Sequence, residues 1–259
     1  MKEFKVAVAQ MDIKLGDKDA NLKKTAEIAS TASKQGADFV CLPEYLSTGN
    51  VPEQYSKLSE PVPGYVVDKL GEIAEENGIH IVASILERAD DKIYNTAILI
   101  DPGGELLTKY RKIHLFMEEQ AYLAHGREYA IVDTKFGKVG LMTCYDAIFP
   151  EIARRLALQG VGIIFMPANW PDPFLSQWML ATSARALDNQ IWLVAVNRIG
   201  ADNKFTYFGR SRTVNPYGDS VVDCGKGEEV LVAEVDGKVT EEFKKIVNFL
   251  KDRQPEAYR

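Results

Sequence analysis

The sequence is poor in cysteine and histidine, with three of each in 259 residues. Cys41, Cys144 and Cys224 form an odd, scattered set with no CxxC spacing. That excludes a disulfide framework and a zinc cluster and leaves reduced thiols. His80, His114 and His125 lack HExxH or other paired spacing, so no metal and no cofactor is expected. Long apolar runs are missing too. None approaches the roughly 18 residues of a membrane helix, and FKVAVAQ, which follows Met1-Lys2-Glu3, is interrupted too soon for a secretory leader. Nor is there an excess of positive charge: 31 Lys and Arg face 37 Asp and Glu, a net charge of −6. Without a basic stretch interleaved with aromatics, nucleic acid is excluded as a partner. The expectation is a cytoplasmic protein that engages neither membranes nor nucleic acids.

What is present is core. Hydrophobic residues make up 46% of the chain, enough for one large α/β domain over residues 1–259. Short β-branched runs alternate with longer helical patterns. Strands are expected at 4–10, 38–42, 80–86, 94–100, 105–110, 129–134, 138–143, 161–167 and 191–197, with further strand-rich stretches at 207–216 and 228–236. Helices are expected at 21–35, 65–77, 149–158, 174–189 and, last, 240–251. No repeat, low-complexity tract or linker interrupts this order. About a dozen strands exceed what one open twisted sheet holds comfortably. The fold class expected is therefore α/β, with two sheets packed face to face and covered by helices.

Three residues stand just past a buried strand, where open α/β sheets place their ligands. In VGLMTCYDAIFPE the apolar run ends at Cys144, with Pro150 and Glu151 opening a helix. A thiol beside that helix start would have a depressed pKa and act as a nucleophile; otherwise Cys144 is a small buried hydrophobe. DFVCLPEY carries Glu44 directly behind a strand, either a solvated loop acid or a paired one. ELLTKYRKIHL carries Lys112, either surface charge or the cation of a site. Together they supply a base, a cation and a thiol.

LPEY, YRKIHL and CYDAIFPE, in this order, resemble the signature of the nitrilase superfamily of carbon–nitrogen hydrolases. The likeness extends from VAVAQMDIKLGDKDANL through PANWP, ARALDNQIWLVAVNRIG and GRSRTVNPYGD to DRQPEAY. It implies a four-layer α-β-β-α sandwich with two central mixed sheets, usually dimerised. It also implies that Glu44, Lys112 and Cys144 are catalytic, with a second glutamate between the lysine and cysteine motifs. Glu119 in EQAYLAHG matches that pattern, and Glu118 is the alternative one residue away. The reaction implied is attack of a thiolate on a small linear amide, with hydrolysis of the thioester. Glu44 would carry the proton, Lys112 and the Tyr145 N–H would hold the oxyanion, and Glu119 would orient. Asn169 and Trp170 are expected to line the substrate pocket, Trp170 alternatively packing against a partner subunit. N-carbamoyl amide or nitrile hydrolysis, and a catalytically silent binding protein of the same fold, are the alternatives. Under this reading His114, His125, Cys41 and Cys224 are structural.

The chain departs from many relatives at three positions. Ile148 replaces an arginine, which suggests less acidic amides than omega-amidases take. His125 stands where proline is common and Asp188 where glutamate is common, changes that touch loop and helix packing.

Overall fold

A computed structural model of the chain describes residues 1–258. The first sheet contains β1 (Phe4–Gln10), β2 (Phe39–Cys41), β3 (His80–Ala89), β4 (Lys92–Ile100) and β5 (Leu106–Arg111). The second contains β6 (Ala130–Thr134), β7 (Gly137–Leu141), β8 (Ile163–Ala168) and β9 (Trp192–Asn197). Next, β10 (Ile199–Ala201) and β11 (Thr206–Phe208) form a separate small hairpin. The chain then supplies β12 (Arg212–Val214) and β13 (Ser220–Asp223) to the second sheet and returns β14 (Glu229–Val235) to the first. The strand orders are β14-β1-β2-β3-β4-β5 and β13-β12-β9-β8-β7-β6. Both sheets are mixed: β1-β2-β3 and β7-β8-β9 run parallel and the flanks antiparallel.

Side-chain alternation explains the layering. Val6, Val8, Phe39, Cys41, Val82, Ala97 and Leu99 face the second sheet. Their neighbours Ala7, Ala9, Val40, Ile81, Ala83, Ile98 and Ile100 face helices α1 (Lys18–Lys34) and α3 (Tyr65–Asn77); α2 (Tyr55–Leu58) lies between these helices in sequence. A period of two buried on both faces requires cover on both. Phe39 of the first sheet stacks on Phe165 of the second with ring centroids 5.2 Å apart. Such a pair contributes about 1 kcal/mol beyond its buried area. The outer face of the second sheet is covered by α5 (Pro150–Leu158) and α6 (Leu175–Leu187), which bury Ile152, Leu156 and Trp178. The short α4 (Glu119–Tyr122) precedes α5 in the chain, and α7 (Gly237–Ile246) follows β14. The four-layer α-β-β-α order expected from the sequence is the one found.

Of the boundaries that differ from the sequence reading, three have an identifiable cause. Helix α1 begins before residue 21, because the Asp17 side chain accepts from Ala20 N at 3.1 Å and caps it. The stretch 207–216 is not one strand: Gly209 (φ 71°) and Arg210 (φ 58°) turn left-handed and split it between the small hairpin and the second sheet. A Cβ at Gly209 would lie 2.5 Å from Gln10 Nε2, so only glycine passes there. The last helix starts earlier and stops at Ile246 rather than reaching 251. Asp236 caps its start, and past its end the Gln190 amide takes the Val247 carbonyl and the Phe249 N–H. Tertiary hydrogen bonds thus replace the continuing helical turn.

Candidate active site

Glu44, Lys112, Cys144 and Asn169 each follow the carboxyl end of a strand, namely β2, β5, β7 and β8. Parallel pairing aligns the ends of β7 and β8, while in the first sheet two successive antiparallel pairings, β3 with β4 and β4 with β5, return β5 to the direction of β2; Glu44 N–H donates to Ala168 O at 3.3 Å, tying the two sheets together at that edge. The four residues meet around one cavity of about 260 Å³. Its floor is formed by Glu44, Lys112, Glu119 and Cys144, which are 1%, 1%, 6% and 5% exposed.

Lys112 is held from three directions. Its Nζ donates to Glu44 Oε1 at 2.8 Å, to Glu119 Oε2 at 2.8 Å and to Glu119 Oε1 at 3.1 Å. Burial by itself would lower the lysine pKa, but the charges of Glu119 and then Glu44 outweigh it and hold the pKa well above the usual value. The Glu44 pKa is also raised, which for a carboxyl disfavours the charged form. Burial, opposed by Lys112 and reinforced by Glu119, raises its carboxyl pKa. Asn95 Nδ2 donates to Glu44 Oε1 at 2.6 Å and the Asn169 backbone N–H to Glu44 Oε2 at 2.7 Å. Both oxygens are therefore fixed before any ligand arrives.

Cys144 sits at φ 46°, a left-handed conformation that a side-chain-bearing residue adopts only when its surroundings enforce it. Asp146 does the enforcing. Fully buried, it accepts from Thr143 N at 3.0 Å, Tyr110 Oη at 2.7 Å, and both His114 N and His114 Nδ1, at 3.0 and 2.9 Å. The strand-to-turn elbow presents the thiol to the Glu44 carboxylate and the Asn169 N–H. Here the sequence expectation is corrected. The thiol pKa is not depressed: burial first and the Glu44 charge second push it well above the usual thiol value, against the pull of Lys112. Residues Cys144–Ile148 form a 3-10 turn that intervenes before α5, so the thiol does not abut that helix start. The resting sulfur is a thiol beside a base.

Glu119, not Glu118, enters the buried cluster; Glu118 lies at the cavity rim with its carboxylate on Lys204. Glu119 is further fixed by Phe116 N at 2.7 Å and by the Tyr45 hydroxyl. Asn169 lines the cavity, and both ends of its side-chain amide are buried without a partner. Trp170 and Tyr145 do not contribute to the wall. The Trp170 indole donates to Phe174 O at 3.2 Å and lies against Trp178 of the same chain, while the Tyr145 ring packs on Phe116 and Phe149. Trp170 is drawn off because Asn197 Oδ1 takes its backbone N–H at 2.6 Å and turns the ring toward α6. Ile148 is exposed and outside the wall. The rest of the wall includes Phe116, Met117, Phe205 and Tyr207.

Sequence reasoning missed Asn95, Tyr45 and Asp146, all buried partners of the cluster. Asn95 had a signal: a lone amide inside the apolar run YNTAILI needs a partner. Among the described residues no group of three or more His, Cys, Asp or Glu side chains is arranged to hold a metal ion, and no helix is long and apolar enough to cross a membrane.

A family model described as carbon-nitrogen hydrolase matches residues 5–245. The chain is 35% identical to a nitrilase of Pyrococcus abyssi, covering 98% of each. It is 33% identical to an omega-amidase of Mus musculus, covering 100% of this chain and 98% of the relative. The crystal structure of Nit3 of Saccharomyces cerevisiae, a member of branch 10 of the nitrilase superfamily, superposes with a TM-score of 0.92 at 32% identity over 98% and 97% of the two chains.

Proposed function

The chain belongs to the carbon–nitrogen hydrolase family and is an amidase, and from that premise we propose that it cleaves a small linear amide to carboxylate and ammonia through a thioester on Cys144. What carries the reading is one observation: a buried lysine held between two carboxylates, one of which faces a thiol on a strained elbow.

In the first step Glu44 removes the Cys144 Sγ–H proton as sulfur attacks the carbonyl carbon. The new C–S bond pushes the carbonyl pair onto oxygen. Once protonated, Glu44 is a weaker acceptor for Lys112, so one ammonium N–H is released toward the oxyanion, alongside the Tyr145 N–H. Losing such a donor typically costs about a hundred- to thousandfold in rate. Collapse breaks the C–N bond, with the Glu44 proton leaving on ammonia. Glu44 then deprotonates water, which displaces the thiol and yields the acid. Glu119 keeps Lys112 in place and carries no proton. The unpartnered Asn169 amide is suited to bind the substrate amide.

Ammonia release across a panel of linear amides, ureides and nitriles tests the proposal. Amide turnover is expected; carbon dioxide with ammonia from carbamoyl compounds, or turnover of nitriles alone, would move the assignment to those reactions. No release from any of them would favour a silent protein of the same fold. We also infer a cytoplasmic homodimer. Leu158 on α5 and Leu180 and Leu187 on α6 leave apolar side chains exposed, which supports pairing with a second copy. A monomer in light scattering at micromolar concentration would contradict it.

A further inference from the structure

A second cavity, of about 660 Å³, is walled by β4, β5 and the segment that follows α4. Lys92, Lys109, Arg111 and Arg127 line it, against the Glu128 carboxylate. Buried Glu87 and Asp90 in the β3–β4 turn also act on Arg111, and with both counted the cavity keeps a positive excess in a chain whose net charge is −6. A concavity that gathers like charges concentrates the opposite ion.

Arg111 is fixed in advance. Its Nε and Nη2 donate to the Glu87 carboxylate at 2.9 and 2.6 Å, and its guanidinium lies over the Tyr94 ring, 4.0 Å from the centroid. Among the described residues its Nη1 has no acceptor, and Lys92 and Arg127, both exposed, are in no ion pair. His125 Nδ1 donates to Ile113 O at 2.7 Å, which orients the ring and leaves Nε2 open to a ligand. Cations from three segments on one cavity call for more than one negative charge, which a phosphate group carries and a carboxylate does not.

The cavity adjoins the strand end that carries Lys112. Arg111 precedes that lysine, and Gly126, next to Arg127, donates its N–H to Lys112 O at 2.9 Å. An anion bridging Arg111 and Arg127 therefore joins the two segments that hold the lysine backbone. We propose that this cavity is a phosphate-binding site formed by Arg111, Arg127 and Lys92, whose occupation braces the end of β5. Its volume exceeds what one phosphate fills, so the preferred ligand is a pyrophosphate unit, free or within a nucleotide.

Isothermal titration of the full-length enzyme with sodium pyrophosphate, against sodium chloride at equal ionic strength, tests the proposal. One saturable site per chain is expected, with Tm raised by about 5 °C at about a hundred times the Kd. Arg127→Ala and Lys92→Met should each weaken binding about tenfold and leave the ligand-free Tm unchanged, since both side chains are exposed. ADP binding more tightly than pyrophosphate would support the site with a nucleotide as the source; pyrophosphate binding as tightly as ADP would support it with the free ion. Heats no larger than those of chloride, or a Kd unchanged in both variants, would overturn it. Neither result bears on ammonia release from amides.

Discussion

Lys112 Nζ lies 2.8 Å from Glu44 Oε1 although 68 residues separate them in the chain. The contact is made at the edge where β2 and β5 end, and Glu119 closes it from the opposite side at 2.8 Å. A lysine so enclosed stays protonated, whereas the base beside it resists ionisation. Protonation states at this cluster belong to the group rather than to one residue.

The pH dependence of turnover follows. Glu44 acts as a base only when ionised, and its pKa is raised, so acidification silences it at a higher pH than for an ordinary carboxylate. The acid limb of kcat/KM is expected above about 4.3. Lys112 is shifted upward, so no alkaline limb from its deprotonation is expected below about 10.4. Glu119→Gln removes a charge that raises Glu44, and should move the acid limb to lower pH while reducing kcat. A wild-type limb at or below 4.3, or an acid limb moved upward in the variant, would contradict this.

Asp146 holds the Cys144 elbow through four hydrogen bonds, all of which it accepts. Asp146→Asn keeps the size but turns one oxygen into a donor facing donors. Displacing a reacting atom by an ångström costs on the order of a hundredfold in rate. We expect kcat to fall by about that factor with the far-UV circular dichroism unchanged; kcat within twofold of wild type would show that the elbow does not depend on Asp146.

The sandwich was legible because the central strands β1, β2 and β3 of the first sheet are buried on both faces, and Glu44, Lys112 and Cys144 were legible only together, through the resemblance of LPEY, YRKIHL and CYDAIFPE in series. Asn95 and Asp146 were less so: a polar residue inside a strand or a turn declares that it needs partners without naming them. The raised thiol pKa was not legible because the helix start is near in sequence, whereas the burial of the sulfur, the larger cause, and the Glu44 charge beside it arise only in the fold. Lys92 and Arg127 carried no signal, since exposed cations at a strand start or in a loop look the same wherever the fold takes them.

Glu87 should govern acid stability on β3. Burial tends to raise its carboxyl pKa, but Arg111, then Lys109 and Thr96, outweigh that and hold it at about 2. A depressed carboxyl pKa stabilises the fold above the unfolded value of about 4.3, and the gain is lost as pH falls toward about 2. Glu87→Gln is expected to cost about 2 kcal/mol at neutral pH, discounted because Arg111 and Lys109 are partly exposed, and almost nothing near pH 2. Equal midpoints in urea unfolding at pH 7 would contradict it.

Gly126 is a second structural support for Lys112. Its N–H donates to Lys112 O at 2.9 Å, and a Cβ there would fall 1.9 Å from the Arg111 carbonyl oxygen. Gly126→Ala must push the end of β5 away and with it the lysine. Turnover should drop about a hundredfold along with a lowered Tm; a variant with wild-type kcat and Tm would show that the segment yields without moving Lys112.

The proposed mechanism requires a covalent bond to one sulfur. Rapid acid quench of the enzyme during turnover of a slow amide, followed by intact-mass and peptide analysis, measures it directly. The mass of the acyl group is expected on the peptide containing Cys144, with neither adduct nor turnover in Cys144→Ala. Sustained turnover in the alanine variant, or an acyl group found on Cys41 or Cys224 instead, would contradict it.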